Sequence, residues 1–222
     1  MGAKSMLKSK LTKLNILKRG LKYRHIVNYV DIDGWLSINE AIELYNMAES
    51  LPMNSPVVVE IGSWLGKSTL VLAKGLKNKH SPKLYCIDPF NADGDDPSAV
   101  IYAKRMDSIE ISLAEKFIHN MKKNHVFGIV ETLQGYSYDF VNGFSKTIDL
   151  LFIDGNHEYE AVLRDFLDWS SLVKPQGIIA FHDVTKKKGC EGPWLVTERY
   201  IRGNPQWKDL KLVGTFFTAK KN

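Results

Sequence analysis

Val57-Val58-Val59-Glu60-Ile61-Gly62-Ser63-Trp64-Leu65-Gly66-Lys67-Ser68-Thr69 is the stretch that decides the fold. β-Branched residues crowd its first half, as a strand prefers, and a carboxylate and two glycines follow. Leu65, Thr69, Leu72, Ala73 and Leu76 then recur at helical spacing. Strand, tight turn and helix in that order open an α/β sheet whose ligand binds outside the carboxyl ends of the strands. At such a turn backbone amides and a helix N-terminus face the ligand, and Gly62 and Gly66 would let it approach without a Cβ in the way.

Two chemistries compete for this turn. Gly66-Lys67-Ser68 matches the end of a phosphate-binding Walker loop, and Leu150-Leu151-Phe152-Ile153-Asp154 could serve as the strand and acid of its magnesium partner. A Walker loop needs four residues between its glycines to wrap a phosphate, and here there are three. A nucleoside-binding turn is the better match. Glu60 would repel phosphates but can accept a hydrogen bond from a ligand ammonium group.

Working outward, Lys83 to Asp88 reads as a second strand ending in an acid, 26 residues beyond Gly62. A carboxylate at that position accepts hydrogen bonds from the two hydroxyls of a ribose. A third strand over about Ile129 to Leu133 leads into Gly135-Tyr136-Ser137, beside the place of a base, where Tyr136 could stack. Ile148 to Ile153 is apolar enough to be a central strand buried on both faces. It ends in Asp154-Gly155-Asn156-His157, and a helix with Tyr159, Val162, Leu163, Phe166 and Trp169 on one face follows. Pro175-Gln176-Gly177 then turns the chain into Ile178 to Phe181, which ends in His182-Asp183.

Asp154, His157, His182 and Asp183 thus converge on one rim as a metal site, an acid–base pair or mutually satisfied polar groups. Oxygen ligands suit magnesium or manganese, and a histidine ligand tilts the choice toward manganese, iron or zinc. A histidine is also a natural proton acceptor near neutral pH.

Before the first strand, Ser37-Ile38-Asn39-Glu40 has capping-box spacing for a helix running to about Ser50. Leu7, Leu11, Leu14, Leu17 and Leu21 recur at helical spacing, predicting an amphipathic helix that packs its leucines on the body or on a second subunit. Residues 1–30 hold six lysines, two arginines and no acid, leaving 22 bases against 25 acids for 31–222. The arm is therefore +8 and the remainder −3, so the basic character of the chain, +5 in all, belongs to the arm. A solvated helix face is the plain reading of that charge; nucleic acid is not the expected partner, although weak attraction to an anionic surface is allowed. Met6 stands where a myristoylation signal wants Ser or Thr. Asn91 to Pro97 reads as a solvated acidic loop over the site, and Val100 to Lys123 as helical, with Ile101, Met106, Ile109, Leu113, Phe117 and Met121 on one face. Trp194 to Arg202 also reads as helical, and two closing strands are predicted around Gly214.

Apolar residues make up 44% of the chain and charged residues 25%, the balance of a globular protein. No apolar run reaches the roughly 18 residues of a membrane span, and residues 1–30 lack a signal-peptide core, so a cytoplasmic protein is expected. Cys86 and Cys190 make neither a metal motif nor a disulfide framework. The expected organisation is a basic helical arm over 1–30 and one α/β domain over 31–222: a doubly wound, mostly parallel seven-stranded Rossmann-like sheet with helices on both faces.

The series Glu-x-Gly-x-x-x-Gly, Ile-Asp-Pro, Gly-x-Ser, Phe-Ile-Asp-Gly-x-His-x-Tyr-Glu and Phe-His-Asp, spanning roughly Gly34 to Asp183, resembles the class I S-adenosylmethionine-dependent methyltransferases. Within them it looks like the small-molecule and sugar O-methyltransferases. The resemblance implies S-adenosylmethionine as cofactor, its methionine part on Glu60, Gly62, Ser63, Gly66 and Ser68, its ribose on Asp88, its adenine beside Gly135, Tyr136 and Ser137, and Asp154 facing both cofactor and metal. It implies magnesium or manganese on Asp154 and Asp183, and His157 as base. His182 departs from the pattern, since metal-dependent relatives carry a carboxylate there; it is a ligand or itself the base. The acceptor implied is a hydroxyl of a small molecule or saccharide. A nucleotide hydrolase built on Lys67 and Asp154, and a non-catalytic nucleoside-binding protein of the same fold, are the alternatives.

Overall fold

A computed structural model of the chain describes residues 3–95, 100–102, 104–105 and 110–222. Seven strands form one sheet: β1 (Val57–Ile61), β2 (Lys83–Asp88), β3 (Val130–Gln134), β4 (Ile148–Ile153), β5 (Val173–Phe181), β6 (Trp207–Val213) and β7 (Phe216–Lys221). Their order is β3-β2-β1-β4-β5-β7-β6. The first five run parallel, whereas β7 pairs antiparallel with both β5 and β6, so the sheet is mixed at one edge. Chain order reverses between β1 and β4, which leaves a crevice at their carboxyl ends.

The apolar strands alternate faces with period two, and each face is covered. Val58, Leu150 and Phe152 join α2 (Ile38–Ser50), α3 (Lys67–Gly75) and α4 (Leu113–Lys123) in one core; Val59, Ile61, Leu151 and Ile153 join α5 (Tyr159–Ser170) in the other. The capping box predicted at Ser37 and Glu40 opens α2 with both reciprocal hydrogen bonds present. Of the helix predicted over Val100 to Lys123, residues 100–102 and 104–105 are helical, residues 110–112 are not, and a second box, Ser112 with Glu115, opens α4. Met106 and Ile109 lie outside the described residues.

Two expectations are corrected. Pro175-Gln176-Gly177 is not a turn before β5: the strand begins at Val173 and passes through these residues with a register shift against β4, Gln176 taking φ +64°. A bulge accommodates the proline, which has no N–H to give the ladder. The N-terminal helix α1 (Ala3–Lys18) does lie on the body, but by the side opposite its leucines. Ile16 is fully buried, Ser9 Oγ donates to Asp31 and Lys13 pairs with the same carboxylate, while Leu7, Leu11 and Leu14 face solvent. Two hydrogen-bonding partners for Asp31 and one buried isoleucine outweigh the leucine periodicity.

Cys86 is buried, Cys190 half-buried, and both are free thiols. No helix among the described residues is long and apolar enough to cross a membrane.

Candidate active site at the carboxyl edge of the sheet

Two cavities open over the crevice. The first, of about 440 Å³, is walled by Gly62, Asp88, the Asn91–Asp95 loop, Gly135 to Tyr138 and Asp154. The second, of about 260 Å³, is walled by Gly34, Trp35, Ser63, Lys67, Ser68, His157, Asp183 and Cys190. Gly62, Trp64, Tyr102 and Asp154 line both, so the two spaces meet over the end of β1.

In the first cavity Asp88 is held rigidly at the end of β2. Its two oxygens accept the backbone N–H groups of Trp64 and Phe90, each at 2.7 Å. Both residues take a left-handed backbone, φ 47° and 52°, an arrangement usually reserved for glycine and common at functional turns. Burial pushes the Asp88 carboxyl up, and the amide hydrogen bonds oppose it. Across the cavity Tyr136 stacks on Tyr138 with ring centroids 5.3 Å apart, and the Arg164 guanidinium lies 3.7 Å over Tyr138. Ser137 Oγ donates to the buried Asp165, whose carboxyl burial raises to about 6.

Glu60 does not reach either cavity wall. It is fully buried beneath the turn, where one oxygen accepts from the hydroxyls of Ser63 (2.9 Å) and Thr69 and the other has no partner. Burial pushes this carboxyl up to about 7 against those hydroxyls. In this position it supports the turn from below. Gly66, with φ +86°, is also absent from the walls; a Cβ there would run into Met121 and Phe117, so this glycine serves helix packing. Gly62 combines both demands, since it lines the cavities and a Cβ would strike the Asp154 carbonyl. Lys67 turns its ammonium to the Ile32 carbonyl (2.9 Å) over the Tyr29 ring, so the nucleotide-hydrolase reading gains no support.

The rim brings Asp154, His157, His182 and Asp183 together as predicted, and adds two carboxylates from distant segments. His182 Nδ1 lies 3.1 Å from Asp154 Oδ1 and 3.2 Å from Asp183 Oδ2. Its Nε2 lies 3.5 Å from Glu40 Oε2. These approaches are close but off-axis, and neither ring nitrogen of this buried histidine makes a well-aligned hydrogen bond. His157 Nδ1 meets the buried Asp95 at 2.6 Å, and its Nε2 stands 3.3 Å from Asp183. Burial opposes charge on His157, yet Asp183 and Asp95 outweigh it and raise the ring to about 9. The same contest lifts His182 well above the usual imidazole range, chiefly through Asp154. Burial raises Asp183, but the two imidazoles prevail and hold it well below the carboxylate range. Of the two candidate bases, His157 lines the second of these two cavities, whereas His182 is buried and lines neither.

Glu40 and Asp95 escaped the sequence reading for different reasons. Glu40 carried an adequate local explanation in the capping box, yet its other oxygen also accepts from Thr215 N and Oγ1. Asp95 lay in an acidic stretch with no distinguishing neighbour, and only the fold brings it to His157.

Residues 59–184 match the family described as a methyltransferase domain. An uncharacterised protein of Acanthamoeba polyphaga mimivirus is 30% identical over 150 residues, 63% of this chain and 57% of that protein, so the chain spans little more than half of that relative's length. Among solved structures, an O-methyltransferase from Bacillus cereus in complex with SAH has TM-score 0.62 and 15% identity, covering 95% of this chain and 90% of that one. The O-methyltransferase TomG from Streptomyces achromogenes, in complex with SAM, has TM-score 0.61 and 17% identity over 85% and 82% of the two chains.

Proposed function

Because the chain belongs to the methyltransferase-domain family, we propose that it moves a methyl group from S-adenosylmethionine to a hydroxyl of a small molecule or saccharide. The observation that carries this reading is the pair of joined cavities with His157 in the wall of the second. The similarly folded O-methyltransferases from Bacillus cereus, in complex with SAH, and Streptomyces achromogenes, in complex with SAM, support it.

In this reading the first cavity takes the cofactor. Asp88 accepts the ribose hydroxyls, the Gly135–Ser137 turn with Tyr136 borders the adenine, and Gly62 and Ser63 face the methionine end, with Glu60 and Ser68 keeping that turn in shape. When bound, S-adenosylmethionine supplies an electrophilic methyl on a sulfonium. The acceptor occupies the second cavity, between Trp35, Trp64 and His157. Asp95 holds His157 through Nδ1, and Nε2, which faces Asp183, takes the proton of the acceptor hydroxyl from the neutral form of the ring, a fraction that grows as pH approaches about 9.

Asp154, His182 and Asp183 would hold a divalent cation such as magnesium or manganese. Their ligand atoms lie within 4.8 Å of one another. The poorly partnered His182 nitrogens and the Glu40 carboxylate behind the ring fit this use, since metal-bound histidines are commonly backed by a carboxylate. Such a cation would lower the pKa of the acceptor hydroxyl. His182 is then a ligand and His157 the base.

A crystal structure with S-adenosylhomocysteine tests the reading. The expected result is ligand density in the first cavity with ribose on Asp88 and the sulfur facing the second. Density for a nucleotide over Lys67, or none in the first cavity at saturating ligand, would overturn it.

A further inference from the structure

The first helix presents an apolar stripe that the fold does not use. Leu7, Leu11 and Leu14 lie half a turn around α1 from Ile16, the residue buried against the body, and are 60%, 54% and 53% exposed. Met6 at 52% and, just beyond the helix, Leu21 at 75% extend the apolar surface. A single exposed leucine is ordinary, whereas three in register on one helix face form a contiguous patch.

The surroundings of the stripe are uniformly basic. Lys8, Lys10, Lys18 and Arg19 are exposed, and no ion pair among the described residues engages them. The basic residues that do find acids, Lys13 with Asp31 and Lys22 with Glu49, fasten the arm to the body. The fastening therefore spends one set of cations and leaves the other facing outward beside the leucines.

We propose that Ala3–Lys18 is an interfacial helix that lays its Leu7-Leu11-Leu14 face on a membrane surface carrying anionic headgroups. Such a surface offers what both features need: an acyl boundary for the leucines and negative charge for the flanking lysines. A second copy of the chain complements the pattern poorly. Two stripes laid together would bring lysines and arginines side by side, with no acid in residues 1–30 to neutralise them. A nucleic acid would satisfy the cations but leave the leucines in water. The proposal stands independently of the methyl-transfer reading, because it involves no wall of either cavity.

The test is cosedimentation of the full chain with phosphatidylcholine vesicles, with and without phosphatidylserine. The expected result is binding only when phosphatidylserine is present, weakening as salt is raised. The L11S/L14S variant, altered only at solvent-facing positions, should lower the partition coefficient about tenfold or more. The K8E/K10E variant should lower it by at least about tenfold. Absence of binding to anionic vesicles, or equal binding by L11S/L14S, overturns the proposal. So does a wild-type dimer in sedimentation velocity that L11S/L14S converts to monomer, which would assign the stripe to a second copy, and so does binding to RNA but not to vesicles.

Discussion

The two cavities are built by different means. The first is a set of local turns: each wall follows the end of one parallel strand, and its central carboxylate, Asp88, is fixed by backbone amides of its own and the neighbouring turn. The second depends on side chains meeting across the fold, with Asp95 reaching His157 and Glu40 reaching both Thr215 and His182. A site made of turns tolerates changes elsewhere in the chain. A site made of distant partners couples chemistry to packing.

The sharpest way to break this division is at His157. His157→Ala should lower turnover about 10³-fold, the range for loss of a general base, while leaving cofactor affinity within a factor of two or so. Equal loss of both, measured by steady-state kinetics and calorimetry, would mean the two cavities are one functional unit.

Next in size is the buried carboxylate under the turn. The folded Glu60 holds its proton to about pH 7, whereas the unfolded chain releases it near 4.5. A raised acid pKa means that the folded state binds more protons in this window, so its contribution falls as pH rises from about 4.5 to about 7 and is fully present only below it. The loss is on the order of 3 kcal/mol. Chemical denaturation at several pH values should show a steeper slope in the wild type than in Glu60→Gln, which keeps only the share that the raised Asp165 contributes up to about pH 6.

Asp88→Ala should weaken cofactor binding by about 30- to 100-fold, the cost of losing charged hydrogen bonds to a ribose, with a smaller effect on kcat. A drop confined to kcat would move Asp88 to the chemical side of the divide. The smallest effect is expected at Glu40→Gln: about 1–2 kcal/mol of stability in denaturant melts, because the amide cannot accept at every site the carboxylate now serves, and a modest fall in turnover through His182. No change in either would detach Glu40 from the rim.

The same contrast explains what the sequence made legible. The order of strands, the Asp88 strand end, the Ser37 box and the convergence of Asp154, His157, His182 and Asp183 follow from periodicity and spacing, which act over a few residues. The directions in which Glu60, Gly66 and the leucines of α1 face are not determined by spacing alone. Glu60 went beneath the turn because three hydroxyl-bearing residues, Ser63, Ser68 and Thr69, surround it there. Gly66 met a helix from residues 113–123, and the leucines lost their place on the body to Ile16 and the Asp31 contacts. Asp95 and Glu40 entered the rim through contacts separated by 62 residues or more, beyond the reach of any local pattern.

The most direct measurement is isothermal titration of the wild-type chain with S-adenosylhomocysteine, repeated on His157→Ala and Asp88→Ala. Saturable one-to-one binding that survives the first substitution and is weakened by the second is the predicted result. No heat from the wild type at millimolar ligand, or binding that depends on His157 and ignores Asp88, would contradict a nucleoside seat in the first cavity.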